Sequence, residues 1–456
     1  MGAGQRPMTP PVRVPRGALA LLAALLAGCG AQATPSASPS PTSVPVGVPR
    51  ASESVEPAPS SESEVYRPNP AAIVVAIDPG HGGCLDWGVP DPSARGVELA
   101  EKTLTLEIAR RLDDRLRADG IGVVMTRDDD EALAGDDHPP IGCHGAAWRD
   151  VNGDGLVGFG TGLPRGTRTR DELQARLDLA NLAQADVLVS IHINAPSEDG
   201  ETIEIAFTQT YYTDETPWAE ANARLADALQ SGVTASLAGI ATYDRGDRGI
   251  TAHNLYLVAP PLDAPTEERP NPLAQPVRGG MMPVALAEVG SITLRAEHDL
   301  LATADGQETV AAGLFDGLVV YFGSRPLAAR IGLAGGERGA APRAVDGSGP
   351  PFWPPVVEPS ALELRVTNTG TAQWAEGAQL MVGWEATAQP YLRAAPAALT
   401  PLAELPALAP GESAQVEISL PDPPGGRAVA WISLWIGETN IADAGSPALQ
   451  VSTAAP

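Results

Sequence analysis

Apolar residues along this chain change period several times, and each change marks an element. Ile73-Val-Val-Ala-Ile77 is a continuous apolar run of strand length, the pattern of a strand buried on both faces. Leu104, Ile108, Leu112 and Leu116 then recur every four residues with Gly120 beyond them, which predicts a helix over 99–118. Residues 121–126 predict a second strand. Residues 172–184 predict a helix with Leu173, Leu177 and Ala180 on one face. Further strands are expected at 187–193, 202–207, 255–258 and 284–287, with helices over 218–231 and 307–322. Strands alternating with helices predict an α/β domain over 71–324, a mostly parallel sheet flanked by helices on both faces. Residues 128–170, rich in Asp, Gly, Pro and Arg, break the alternation and read as an insertion.

The pattern changes class toward the C terminus. Residues 325–355 are rich in Gly, Ala, Arg and Pro and read as a linker. Leu362-Glu-Leu-Arg-Val366 and Val416-Glu-Ile-Ser-Leu420 alternate apolar and polar, as half-buried strands do, and Trp431-Ile-Ser-Leu-Trp435 is a third strand. Turns are expected at Asn368-Thr-Gly370, Pro410-Gly411 and Pro424-Gly-Gly426. An all-β sandwich over 356–456 follows. It resembles the immunoglobulin-like accessory modules of exported bacterial proteins, which implies a protein or wall partner for it.

The other end carries a targeting pattern. Arg6, Arg13 and Arg16 precede the apolar stretch Ala18 to Ala27, so residues 1–28 read as a signal peptide. Leu26-Ala-Gly-Cys29 resembles the lipobox of bacterial lipoproteins. That resemblance implies lipidation at Cys29, a lipid anchor, and an exported protein held on the outer face of a membrane in the cell envelope. Residues 29–70 hold Pro, Ser, Ala, Thr and Glu with little to bury, and read as a disordered tether.

Composition narrows the function. Thirty basic residues against 56 acidic ones leave a net charge of −26, which argues against a nucleic-acid binder. Beyond residue 30 no apolar run approaches the roughly 20 residues that cross a bilayer. Cys84 and Cys143 form an even pair in an oxidising compartment and are candidates for a disulfide.

Two of the six histidines fall where an α/β protein builds its site. His81 lies in Asp78-Pro-Gly-His-Gly-Gly83 after the first strand, and His192 lies in Ser190-Ile-His-Ile-Asn-Ala195 at the end of the third. Ligands of such folds gather at the carboxyl ends of the strands. Glycines flanking His81 let the backbone turn sharply. Glu101 opens the next helix, where its carboxylate can point back to the same edge. Two imidazoles and a carboxylate form a catalytic zinc set with one position left for water.

These residues carry a family resemblance. Ile77-Asp-Pro-Gly-His-Gly-Gly83, Glu101-Lys102 with Leu106, Ile108-Ala109 and Leu112, and Val123-Val-Met-Thr-Arg127 resemble blocks of the zinc-dependent N-acetylmuramoyl-L-alanine amidases of the type-3 family. So do Arg176-Leu-Asp-Leu-Ala-Asn181, Ser190-Ile-His-Ile-Asn-Ala195, Arg248-Gly249 with Leu255-Tyr-Leu-Val258, and Pro283-Val-Ala-Leu-Ala-Glu-Val-Gly290. The resemblance implies that His81, Glu101 and His192 ligate Zn2+ and that Glu288 is the general base. The implied reaction cleaves the amide between N-acetylmuramic acid and L-alanine in peptidoglycan. Asn194 and His253 are candidate substrate contacts. The chain departs from the family at Ser291-Ile-Thr-Leu294, where a Phe usually follows the Glu-x-Gly.

The insertion adds one more motif. Asp150-Val-Asn-Gly-Asp-Gly155 resembles the start of a calcium loop, with Asp150, Asn152 and Asp154 as Ca2+ ligands, but Thr161 stands where the twelfth-position glutamate belongs. The insertion is also expected to shape or cover the substrate groove. Two rival readings are a catalytically inactive or regulated wall-binding protein of the same fold and a zinc amidase acting on soluble muropeptides.

Overall fold

The computed structural model describes residues 72–83, 86–89, 99–135, 149–152, 156, 167–260, 276, 278–334, 354–358, 362–386, 394–426 and 428–452. The leader, the tether, Cys29, Cys84, Cys143 and Asp154 lie outside them.

The first part is a six-stranded sheet with helices. Its strands are β1 (Val74–Pro79), β2 (Gly122–Met125), β3 (Val187–Asn194), β6 (Phe207–Tyr212), β7 (Gly246–Ala252) and β8 (Val284–Ser291). A separate hairpin is made by β4 (Ser197–Glu198) and β5 (Glu201–Thr202). The sheet order is β2-β1-β3-β8-β6-β7. β1 pairs parallel with β2 and β3, β3 parallel with β8, and β6 parallel with β7. β6 runs against β8, so the sheet is mixed. Five helices accompany it among the described residues: α1 (Glu101–Ala118), α2 (Thr167–Leu182), α3 (Ala219–Ala238), α4 (Arg295–Leu301) and α5 (Ala304–Gly323).

Alternation along the strands divides the core in two. Val75, Ile77, Val189, Ile191, Ala285 and Ala287 join Leu104, Ile108, Leu225, Leu229, Val310 and Leu314 of α1, α3 and α5. Val74, Ala76, Leu188, Val284 and Leu286 face the other way, onto Leu177 and Ala180 of α2 and onto Leu257 and Val258. That double burial is why the first strand reads as an unbroken apolar run. α3 and α5 approach closely at Gly232, Gly313 and Gly317. A Cβ at Gly317 would lie 2.6 Å from the Ala228 carbonyl oxygen, and one at Gly313 2.7 Å from that of Gly232.

Several elements differ from the pattern. α2 begins at Thr167, inside the stretch read as insertion, and its Asp171 and Glu172 accept from backbone amides of that stretch, at Val151 and Asn152 and at Leu133 and Ala134. The strand expected at 202–207 is not formed: Thr202 ends β5, residues 203–206 are in no strand, and β6 begins at Phe207. Residues 255–258 form a turn that drops Leu257 and Val258 into the core, so their apolar run reports burial without strand pairing. The neighbouring strand is β7, whose Gly-Asp-Arg-Gly sequence at a sheet edge carries no apolar signal.

The C-terminal part is all-β. β9 (Ala329–Leu333), β10 (Leu362–Asn368) and β13 (Ser413–Ile418) form one antiparallel sheet. β11 (Ala378–Ala386), β12 (Thr400–Leu405), β14 (Ala428–Ile436), β15 (Thr439–Asn440) and β16 (Leu449–Ser452) form another. Leu364, Val366, Trp374, Leu380, Val382, Ile432, Leu434 and Val451 share one core. β9 corrects the linker expectation: residues 329–333 are a strand in register with β10, from Ala329 opposite Asn368 to Leu333 opposite Leu364.

Candidate metal and catalytic site

β1 ends in Asp78-Pro79, and the chain then turns through three residues with positive φ: His81 (62°), Gly82 (140°) and Gly83 (68°). A β-carbon at φ 62° is strained by about 1–3 kcal/mol, and such strain persists only where the surroundings fix it. Here they do. Arg176 Nη2 donates to the His81 carbonyl oxygen at 2.6 Å, and the Gly82 amide donates to the Asp86 carbonyl at 2.9 Å. The result sets the His81 imidazole at the carboxyl edge of the sheet.

Glu101 and His192 reach the same point from α1 and β3. Glu101 Oε1 lies 3.2 Å from His81 Nε2 and 3.2 Å from His192 Nδ1. The same oxygen accepts from the Ile193 amide at 3.0 Å, while Oε2 accepts from the Val89 amide at 2.9 Å. Burial alone would raise the Glu101 carboxyl, but the two imidazoles outweigh it and hold the group well below the usual carboxylate range. For His81, burial opposes protonation, yet Glu101 and Asp86 raise the imidazole to about 10. His81 Nδ1 is 2.9 Å from Asp86 Oδ1, which fixes the ring and leaves Nε2 facing the cluster.

Ligand-type atoms of His81, Glu101 and His192 all lie within 4.8 Å of one another. Glycines make the room. A Cβ at Gly88 would sit 2.5 Å from Glu101 Oε2 and His81 Cδ2, and one at Gly80 2.5 Å from His192 Cε1. Two imidazoles, one carboxylate and an aspartate behind the first imidazole fit a zinc ion.

Glu288 completes the edge. It lies on β8 in register with His192. Its Oε2 is buried without a hydrogen-bond partner. Burial raises the carboxyl to about 7, with Glu101 adding to the effect and the two histidines opposing it. An oxygen so placed costs stability, which is the pattern of a group kept for chemistry.

A sequence profile described as N-acetylmuramoyl-L-alanine amidase matches residues 75–319. The chain belongs to the N-acetylmuramoyl-L-alanine amidase family. It is 29% identical over 250 residues to the germination-specific N-acetylmuramoyl-L-alanine amidase of Bacillus subtilis (strain 168), covering 55% of this chain and 79% of that protein. It is 26% identical over 267 residues to N-acetylmuramoyl-L-alanine amidase LytC of the same organism, covering 58% of this chain and 39% of the relative. The crystal structure of N-acetylmuramoyl-L-alanine amidase from Clostridium difficile 630 is 25% identical, with 56% of this chain and 98% of that one covered and a TM-score of 0.36. Peptidoglycan amidase function follows for this chain.

The amidase rests on buried charges whose roles the sequence did not announce. Asp78 accepts from Thr126 Oγ1 (2.6 Å), Ser190 Oγ (2.7 Å) and Arg176 Nη1 (2.9 Å). Arg127 donates to the carbonyls of Pro79, Gly80 and Lys102. Lys102 Nζ donates to the Gly83 carbonyl and to Asp130 Oδ2, each at 2.6 Å. Together they hold the turn that carries His81. The available signal was physical: a carboxylate ending a strand buried on both faces must be paired.

The remaining candidates separate. Asn194 ends β3, and its carbonyl accepts from the Ile292 amide at 2.8 Å. His253 is exposed just after β7, its ring 6.0 Å from that of Tyr211. At Ser291-Ile-Thr-Leu294, Ser291 Oγ lies 3.1 Å from Thr293 Oγ1, which donates to the Ile203 carbonyl. The calcium reading finds no support in the metal-type groups. Among the described residues the one such group is His81, Glu101 and His192, while the amides of Val151 and Asn152 donate to Asp171 Oδ1.

Proposed function

We propose that this peptidoglycan amidase is zinc-dependent, with His81, Glu101 and His192 as ligands and Glu288 as general base. The observation that carries the reading is the unpartnered, buried Glu288 oxygen one strand away from the His-Glu-His cluster. Zinc in that cluster would polarise the scissile amide carbonyl and acidify water. Glu288 takes the proton from the attacking water and passes it to the departing L-alanine nitrogen, a role worth roughly 10²–10⁴-fold in rate. Asp86 holds the His81 ring, and Arg176 holds the His81 backbone.

The leader over 1–28, lipidation at Cys29 and the tether over 29–70 belong to the same proposal. They would place the enzyme on the outer face of a membrane within reach of the wall. The run Leu26-Ala-Gly-Cys29 supports that placement. The C-terminal β region then serves as a module for a protein or wall partner.

The test uses the full chain. Bound zinc is quantified, and purified peptidoglycan is incubated with wild type and with Glu288→Ala. Stoichiometric zinc in both and new L-alanine amino termini with wild type alone support the reading. A wild type that binds no zinc, or a Glu288→Ala variant that cleaves normally, overturns it. For the anchor, Cys29→Ala should move the protein to the soluble fraction, and retention on the membrane would sink lipidation at that site.

A further inference from the structure

The reversal of β6 changes what stands at the catalytic edge. Because β6 runs against β8, the carboxyl end of β8 lies beside the amino ends of β6 and β7. Glu288 is in register with Gln209, and Leu286 with Tyr211. Residues in register share a face, and so do residues two apart on a strand. Phe207, Gln209 and Tyr211 therefore continue the face that carries Glu288, and Thr251, in register with Tyr211, extends it onto β7.

This face differs from the rest of the sheet. Under β1 and β3 it is packed by α2. On β6 and β7 it shows half-buried Gln209, Tyr211 and Thr251 and exposed Arg248 and His253. Gln209 Nε2 donates to Thr251 Oγ1 at 2.9 Å, so the two polar side chains brace each other.

Arg248 is placed on this floor with care. Its guanidinium carbon sits 3.7 Å above the centroid of the Phe207 ring. Phe207 is 2% exposed and forms a fixed platform. The pairing of β6 with β7 shifts register between Thr208 and Thr210, beside Arg248, and such irregularities re-aim side chains. Asp247, the adjacent acid, is already engaged by Gln230 Nε2 and by the Gly249 amide. Among the described residues Arg248 has no carboxylate partner, whereas Arg110, Arg115, Arg117, Arg176, Arg245 and Arg278 each have one. A stacked guanidinium whose fork of donors is unspent is preorganised for a carboxylate.

We infer that Arg248 is a specificity-determining residue of the amidase, receiving a free carboxylate on the peptide arm of the substrate while the scissile amide lies at Glu288. The inference rests on the amidase reading. It commits to an acidic stem peptide lying across β6 and β7. The overall charge of −26 gives it added reason, since an acidic substrate needs a local cation to dock on an acidic protein.

The experiment uses the full chain and two soluble muropeptides that differ only at the second stem residue, one bearing a carboxylate and the other a carboxamide. Initial rates and calorimetric binding are measured for wild type, Arg248→Gln and Arg248→Lys. Wild type should favour the carboxylate. Arg248→Gln should raise KM roughly tenfold for the carboxylate alone with kcat unchanged, and Arg248→Lys should recover part of the loss. Equal losses on both peptides, or no preference in wild type, overturn the inference. If wild type cleaves neither peptide, the amidase reading has failed. Calorimetry then still decides Arg248: a carboxylate-specific loss of binding supports it, and equal binding by wild type and variant rejects it.

Discussion

Asp78 is fully buried and ionised, with Thr126, Ser190 and Arg176 closing around its two oxygens. Burial would raise its pKa, but the Arg176 guanidinium and the two hydroxyls hold the carboxyl below its ordinary range. A carboxyl depressed in the folded state contributes stability that is present above the unfolded pKa and is lost as pH falls through the folded one. Asp78→Asn should therefore cost about 3 kcal/mol in urea unfolding at neutral pH, because buried Arg176 keeps Glu172 but loses one of its two carboxylate partners. The difference should hold down to about pH 4 and shrink only below it. Glu288 makes the opposite case. In metal-free protein its carboxyl should titrate near 7, raised mainly by burial. Zinc should lower that value, because a nearby cation favours the carboxylate. Carbon-13 NMR of labelled glutamate, with and without zinc, checks both; a titration that ignores zinc would separate Glu288 from the cluster. Of these residues, His81, Glu101, His192 and Glu288 were legible in sequence through their motifs, and His81 and His192 also through their places at strand ends. The service of Asp78, Arg127 and Arg176 was not, since pairing of a buried charge depends on which strands become neighbours.

At the scale of elements, α3 and α5 meet through backbone. Substituting Gly317→Ala offers the helix about 1 kcal/mol of propensity. It also sets a methyl 2.6 Å from the Ala228 carbonyl oxygen, an atom that no rotamer change can move. The clash should win, with a net loss of about 1–3 kcal/mol in denaturant unfolding. Gly332→Ala on β9 meets nothing within 4 Å and serves as the control, expected within about 0.5 kcal/mol of wild type. Helix spacing made α1, α3 and α5 readable. β7 escaped because an edge strand of Gly, Asp, Arg and Thr has no apolar alternation to display, and 255–258 misled because an apolar turn can enter a core as a strand does.

In the whole molecule, the β region is joined to the α/β region by more than a tether. Arg330 of β9 pairs with Asp186 at 3.0 Å and donates to the Gln184 carbonyl at 2.8 Å. Asp186 also accepts from the Val74 amide at 2.8 Å, at the start of β1. Gly445 lies where a Cβ would come 2.5 Å from Ala221 and 3.1 Å from Pro283. These contacts lie at the amino ends of β1 and β3, opposite the edge that holds His81 and His192. Arg330→Ala should lower stability by about 3 kcal/mol, because it strips a partner from a buried carboxylate. A chain ending at residue 324 should melt lower than the full chain for the same reason, and equal melting temperatures in calorimetry would show the two parts to be independent.

The sequence by itself determined the apolar runs and the helical period of α1, α3 and α5, and its motifs singled out His81, Glu101, His192 and Glu288 as candidates for metal binding and proton transfer. Runs and periods are local properties, and so are short motifs. Only the tertiary structure decided that Glu101, 91 residues from His192, turns one oxygen to both imidazoles. It alone decided that β6 reverses, so that the amino ends of β6 and β7 lie beside the carboxyl end of β8, and that β9 leaves the apparent linker to join the β region. Strand order, strand direction and charge pairing are set by the free energy of packing distant segments together, and no stretch of chain records that free energy alone.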